Sequence, residues 1–237
     1  MRVLRAAFVW VAVVLLTIGF GVPAIFAAYF PPRGDWFLWF ARGWARCLLA
    51  VGGVSVRVLH PERALGGRSF VVAANHASYA DIAVLLARLP LPARFLAKRS
   101  IFRVPILGWS IAAAGFVPVD RGDRSRGIAT VDVALRRLRR GRSVVVFPEE
   151  TRTRTGELLP FKAGAALLAR RSGLAILPVG IAGTRAVLPA GSSVISPGRV
   201  AVSIGEPIPA DDARARELTA KLRDEIERLR REAEENL

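Results

Sequence analysis

The stretch FVVAANHASYADI, residues 70–82, carries the signal that decides the fold class. Apolar residues run unbroken from Phe70 to Ala74, Asn75 and His76 interrupt them, and the residues that follow suit the first turn of a helix. An uninterrupted apolar strand is one covered on both faces, and a strand passing directly into a helix is the repeating unit of a parallel sheet. His76 falls in the break and Asp81 follows five residues later. Residues five apart do not share a face of a continuous helix. If His76 precedes the helix and Asp81 lies in its first turn, the carboxylate reaches back to Nδ1–H, fixes the tautomer and leaves Nε2 as a base. A polar turn that only caps the helix is the competing reading. Ser78 lacks a G-x-S-x-G context and reads as a helix-start residue, not a nucleophile.

The same alternation extends along the chain from residue 54. VSVRVL (54–59), ARFLA (93–97), GFVPVD (115–120), SVVVF (143–147), AILPVGI (175–181) and RVAVSIG (199–205) read as further strands, and 81–89, 107–114, 126–140, 163–172 and 212–235 as helices. The fold class is therefore α/β, a largely parallel central sheet flanked by helices. Leu218, Leu222, Ile226 and Leu229 fall on one face of the last helix, which predicts that it docks on the body. Pro118 removes a ladder donor from its strand and predicts a sheet edge or bulge.

Upstream, the 27 residues 6–32 carry no formal charge. As a helix they reach about 40 Å, longer than the roughly 30 Å hydrocarbon core of a bilayer. Gly19, Gly21 and Pro23 predict a kinked or re-entrant path. WFLWFARGWARCLLAVGGV, residues 36–54, places Trp36, Trp39 and Trp44 beside Arg42 and Arg46, a composition suited to an interfacial helix, and PPRGD (31–35) reads as the turn between the two. Residues 1–53 are thus expected to form a membrane-anchoring helical hairpin, and 54–237 a catalytic domain. Charge agrees: the chain carries +16, of which residues 1–210 hold +18 (28 basic, 10 acidic). Such a body suits an anionic surface, nucleic acid or phosphorylated substrates. Keeping Arg2, Arg5 and this body on the cytoplasmic side requires a hairpin, entering one leaflet or crossing and returning, instead of a single crossing. The single cysteine, Cys47, allows no internal disulfide, and no Cys/His cluster suggests a metal site.

Basic residues also stand at strand ends and helix starts, where α/β sheets bind anions. Arg121 follows GFVPVD, Arg152 lies in FPEETR (147–152), and Lys162 opens a helix in PFKAG (160–164). Singly each reads as a solvated loop residue; together with His76 and Asp81 they predict one converging site. RRLRRGR (136–142) is basic but sits in no nucleic-acid motif, and no nucleic-acid partner is expected.

NHASYAD matches the N-H-x-x-x-x-D motif of the glycerolipid acyltransferases, the family of lysophosphatidic acid acyltransferase. GFVPVDR, FPEETR and LPVGIAG (177–183) resemble its second, third and fourth blocks, in family order over about 70–183, and FLAKRSIFRVPILGW (95–109) is similar to a further segment. The resemblance implies acyl transfer from acyl-CoA or acyl carrier protein to the sn-2 hydroxyl of lysophosphatidic acid, giving phosphatidic acid in phospholipid synthesis. It implies His76 as base, Asp81 as its orienter, direct attack without an acyl-enzyme, and neither metal nor cofactor. Arg121 and Arg152 would hold the acceptor's phosphate, assisted by Lys98 or Lys162. Asn75, Gly115, Glu149, Thr151 and Pro178 would shape the acceptor site, and backbone N–H groups near 149–151 would face the oxyanion. The partners implied are a lyso-phospholipid, the acyl donor and membrane lipids, at the cytoplasmic side of the inner membrane. The family's glycine in the third block is Glu150 here. If that position needs φ > 0, the glutamate costs on the order of 1 kcal/mol; its side chain either points to solvent or pairs with an arginine, or it marks another acceptor such as a lyso-ornithine lipid. A non-catalytic module gripping anionic lipid is the alternative outside enzymology.

Overall fold

The computed structural model describes residues 2–30, 35–65, 67–119, 131–136, 142–210 and 214–237. Its centre is β2 (Val71–Ala74), flanked in parallel by β5 (Ser143–Val146) on one side and β6 (Ile176–Ala182) on the other. β3 (Ala93–Lys98) continues the sheet in parallel beyond β5, and β4 (Val117–Val119) closes that edge. Pro118 sits in this edge strand opposite Ala97, as its missing donor predicts. At the other side β7 (Gly198–Ile204) pairs antiparallel with β6, and β1 (Val54–Leu59) pairs parallel with β7. The order among the described residues is β1-β7-β6-β2-β5-β3-β4. The carboxyl ends of β6, β2, β5, β3 and β4 all point to one edge.

Successive side chains of a strand face opposite ways, and β2 divides the core accordingly. Val72 and Ala74 pack into a cluster with α2 (Asp35–Gly52), α3 (Ala80–Arg88) and α4 (Leu107–Ala113). Val71 and Ala73 pack on the other face with α6 (Gly164–Ser172) and α8 (Ala215–Glu235), to which residues 131–136, helical as α5, also contribute Ala134. α7 (Thr184–Val187) is a single turn after β6. In α8 the predicted stripe Leu218, Leu222, Ile226 and Leu229 is buried; each side chain contributes about 1.5–3 kcal/mol of transfer free energy. The helix lies so close to the sheet that a Cβ on Gly180 would overlap the carbonyl carbon of Leu229. Only glycine permits that approach.

α1 (Arg2–Ala27) is continuous through Pro23. It is long and apolar enough to cross a membrane, although only 11% of its apolar window is buried. One face packs on the protein through Val9, Ala24 and Ala28, while Phe8, Val11, Leu15, Ile18, Val22 and Phe26 form an exposed apolar stripe. The Arg5 guanidinium donates to the Gly52 carbonyl (3.0 Å), and the Trp10 indole donates to the Ser193 carbonyl (2.6 Å). α2 is amphipathic at helical spacing: Phe37, Ala41, Ala45 and Leu49 enter the core, while Trp36 and Trp39 are exposed. The predicted turn at 31–34 lies outside the described residues.

Candidate active site

β2 ends at Ala74 and delivers Asn75 and His76 to the sheet's carboxyl edge. Asn75 is buried and imitates a strand residue: its amide donates to the Ile181 carbonyl (2.9 Å) and its Oδ1 accepts the Ile181 N–H (2.7 Å). This pair of bonds stitches β2 to β6 where the backbone ladder stops. The chain then turns, and α3 begins at Ala80 with Asp81 in its first turn. Asp81 Oδ2 accepts three bonds, from His76 Nδ1 (2.8 Å), the Ala77 N–H (2.8 Å) and the Ser78 N–H (2.9 Å). Two backbone donors on the same oxygen make it an acceptor, so Nδ1 carries its proton and Nε2 holds the lone pair. Asp81 is fully buried, and its Oδ1 has no hydrogen-bond partner among the described residues. Ser78 serves the helix start: its Oγ accepts the Ala80 N–H (3.0 Å) and donates to the Leu188 carbonyl (2.7 Å).

The imidazole is clamped from a second strand. Phe147, directly after β5, stacks on the His76 ring with centroids 4.0 Å apart and planes 17° from parallel. Glu149 Oε1 accepts the backbone N–H of His76 (2.6 Å), and its Oε2 accepts the N–H of Leu159 (2.9 Å). The Thr153 N–H donates to the His76 carbonyl (3.0 Å). Both backbone polar groups of His76 are thus held by the segment after β5, the N–H by Glu149 and the carbonyl by Thr153. Burial pushes the Glu149 carboxyl up to about 7 from its ordinary 4.5; its two backbone bonds pull the other way and the nearby Asp81 charge adds to the rise. Glu149 therefore belongs to the scaffold of the site and is not a partner of Glu150.

Arg152 follows on the same turn. Its guanidinium carbon lies 3.5 Å from the ring centroid of Tyr79, the residue just before α3. Its Nη1 is buried, with no hydrogen-bond partner among the described residues. A held, desolvated donor of this kind is primed for an anion. The Lys162 N–H donates to the Pro148 carbonyl (2.8 Å), which brings PFKAG against the same turn, with the Lys162 side chain exposed. Lys98 is exposed at the carboxyl end of β3. Gly115 occupies a left-handed conformation, φ +83°, in the turn before β4. Thr151 is exposed beside Arg152.

Glu150 has φ +57°, in the left-handed region that favours glycine, and its side chain is exposed. Its N–H is committed to the Phe147 carbonyl (3.0 Å), which removes it from the set of oxyanion donors expected near 149–151. Pro178 is not at the edge: it lies inside β6 opposite Ala73. Arg121 lies outside the described residues, as does most of RRLRRGR. No group of three or more metal-ligating side chains occurs among the described residues.

Tyr79, Phe147 and Arg94 were not singled out by sequence. Arg94 is fully buried in β3, donates from Nε to the Ala114 carbonyl (2.8 Å), and so fixes the turn that carries Gly115.

Similarity to known proteins bears on this arrangement. The model of the family described as Acyltransferase matches residues 55–182, more than half of the chain. The 1-acyl-sn-glycerol-3-phosphate acyltransferase of Saccharomyces cerevisiae is 34% identical over 192 residues, covering 77% of this chain and 63% of that protein. The chloroplastic 1-acyl-sn-glycerol-3-phosphate acyltransferase LPAT1 of Arabidopsis thaliana is 37% identical over 139 residues, 58% of this chain and 39% of that protein. The chain therefore spans less than two thirds of the length of these relatives. The crystal structure of the 1-acyl-sn-glycerophosphate acyltransferase PlsC from Thermotoga maritima superimposes with a TM-score of 0.85 at 25% identity, over 99% of this chain and 95% of that one. Matched by the family model over more than half its length, with His76, Asp81, Glu149 and Arg152 inside the match, the chain belongs to the Acyltransferase family.

Proposed function

We propose that this protein is a membrane-bound acyltransferase that moves an acyl chain from acyl-CoA or acyl carrier protein to the sn-2 hydroxyl of lysophosphatidic acid, giving phosphatidic acid. The observation that carries the proposal is the 2.8 Å His76–Asp81 pair at the sheet's carboxyl edge, held on the same side of the sheet as an arginine whose buried Nη1 has no partner among the described residues. The relatives' names supply the substrate class.

His76 Nε2 takes the proton of the acceptor hydroxyl as its oxygen attacks the thioester carbonyl carbon. The tetrahedral intermediate collapses, the C–S bond breaks, and the imidazolium returns its proton to the leaving thiolate. Asp81 stabilises the imidazolium and holds the ring, and no acyl-enzyme forms. Arg152 grips the acceptor's phosphate, with Arg121, Lys98 and Lys162 contributing charge around it. Residues 1–53 act as the anchor and 54–237 as the catalytic unit. α1 touches the body near both ends, at Arg5 and Trp10 and again at Gly21, which supports a hairpin lying within one leaflet on the cytoplasmic side of the inner membrane.

One observation favours a second acceptor class. Glu150 adopts φ +57°, which costs on the order of 1 kcal/mol relative to glycine. A carboxylate kept there suits an acceptor with an ammonium group, such as a lyso-ornithine lipid. Offering the purified protein a panel of lyso-lipids with acyl-CoA and acyl carrier protein, and identifying products by mass spectrometry, separates the two. Phosphatidic acid as the main product supports the first reading, a zwitterionic product the second. No acylated product from any pair would leave only a lipid-binding module and overturn both.

A further inference from the structure

The segment after β3 carries an exposed apolar surface that the catalytic proposal does not use. Residues Arg99–Arg103 form a 3-10 turn, and Val104, Pro105 and Trp109 follow it exposed to solvent. Trp109 and Val104 keep 58% and 45% of their surface accessible and lie together on one short segment with the exposed Pro105.

The backbone here is forced. Ile106 has φ +63° and ψ −59°, and the Leu107 N–H donates to the Pro105 carbonyl (2.7 Å). That is a classic-type γ-turn, rare and strained, around a β-branched residue that resists positive φ. The turn aims Ile106 at α1. A Cβ on Gly21 would lie 2.6 Å from Ile106 Cγ2, so the isoleucine methyl fills space that glycine alone leaves open. The segment is thereby locked to α1 in the middle of its uncharged stretch. Wherever residue 21 of α1 resides, residues 103–109 reside beside it.

We propose that residues 99–109 form a second bilayer-contacting element, which dips Val104 and Trp109 into an anionic leaflet alongside α1 and leaves Arg103 at headgroup level. Continuity and charge both point to a lipid surface. The exposed stripe of α1 ends in Ile18, Val22 and Phe26 around the Gly21 contact. Exposed Lys98 and Arg103 flank the apolar residues with cations, the arrangement that binds anionic headgroups. Because Lys98 ends β3 at the same sheet edge as His76, this contact would turn the catalytic edge toward the leaflet that supplies the acceptor. The proposal rests on the membrane-bound reading of α1 but concerns a different segment.

The test uses the full chain with Cys47 replaced by alanine. Single cysteines are placed at Val104, at Leu15 on α1 and at the exposed Arg223 on α8, and labelled with an environment-sensitive fluorophore. Vesicles contain phosphatidylglycerol and lipids with nitroxide-bearing acyl chains. The expected result is quenching at 104 comparable to that at 15 and at least threefold stronger than at 223. In parallel, V104D/W109D is expected to weaken vesicle partitioning at least tenfold while preserving turnover of short-chain substrates in detergent. Quenching at 15 with none at 104 overturns the proposal and leaves the membrane-bound reading standing. No quenching at either position overturns both. Protection of the 104 label by acyl carrier protein, without response to vesicles, assigns the segment to the donor and also overturns the proposal.

Discussion

The backbone N–H of His76 donates to Glu149 Oε1 at 2.6 Å, so the residue proposed as base is fixed in place by a carboxylate 73 positions away. The other oxygen of that carboxylate holds Leu159 (2.9 Å). Glu149 is the crosslink between the NHASYAD break and the FPEETR turn, and its substitution should be felt both in folding and in rate. Glutamine can accept only one of the two N–H bonds and turns its own NH₂ toward the other donor. E149Q is expected to lose about 1–3 kcal/mol of stability, the cost of a buried unsatisfied donor, and to lower kcat more than it raises KM for either substrate.

The same residue sets a pH dependence. Burial pushes its carboxyl up to about 7 in the folded chain, from the ordinary 4.5 that the unfolded chain keeps. Between those values the folded state binds more protons, so this group's contribution to stability is fully present below about 4.5 and is lost as pH rises to 7. The change is on the order of 3 kcal/mol at most. Urea denaturation at pH 5 and pH 8 should show wild type losing more stability than E149Q across that interval. Equal losses would contradict the assignment.

Arg152 is held by stacking on Tyr79, and its planar fork presents a buried donor. Lysine keeps the charge but neither the stacking nor the fork. R152K is expected to raise KM for a phosphate-bearing acceptor by about tenfold or more, corresponding to roughly 1.4 kcal/mol, with KM for the acyl donor unchanged. Steady-state kinetics with each substrate varied in turn checks this.

Glu150→Gly removes a side chain from a left-handed position. Thermal denaturation should show a gain of about 1 kcal/mol from relieved strain. If the carboxylate reads the acceptor, the variant also loses discrimination between zwitterionic and simple phosphate acceptors. An unchanged product profile would make the residue a solvent-facing oddity of the turn.

Much of this arrangement was legible in the sequence because it is local. The apolar runs at 70–74, 143–147 and 175–181 became β2, β5 and β6, and the five-residue spacing of His76 and Asp81 gave their contact. The amphipathic stripe of α8 was equally direct, since burial follows helical period. Long-range partnerships were not legible. Nothing in RVAVSIG says that β7 runs antiparallel to β6 and recruits β1 from the far end of the chain. The clamp on His76 by Phe147 and Glu149 joins strands remote in sequence but adjacent in the sheet. Arg94 was hidden for another reason: a charged residue inside a strand normally marks a solvated face, and here carbonyl acceptance at Ala114 and the Phe37 ring stabilise it in the interior. α2 read as interfacial from its tryptophans, yet the stripe Phe37, Ala41, Ala45 and Leu49 belongs to the core. The residue types were visible, and which face met the sheet was not.

The central claim is that His76 Nε2 acts as the base, with its tautomer set by Asp81. Asp81→Asn is the most direct test, because it preserves shape and removes the charge that accepts Nδ1–H. The measurement is single-turnover transfer of a labelled acyl group from acyl-CoA to lysophosphatidic acid by the membrane-reconstituted enzyme, across pH 6–9. With folding checked by circular dichroism, a loss of about 10²–10⁴-fold in the transfer rate, matching that of His76→Ala, is the predicted result. Transfer within a few-fold of wild type by either variant would contradict the account.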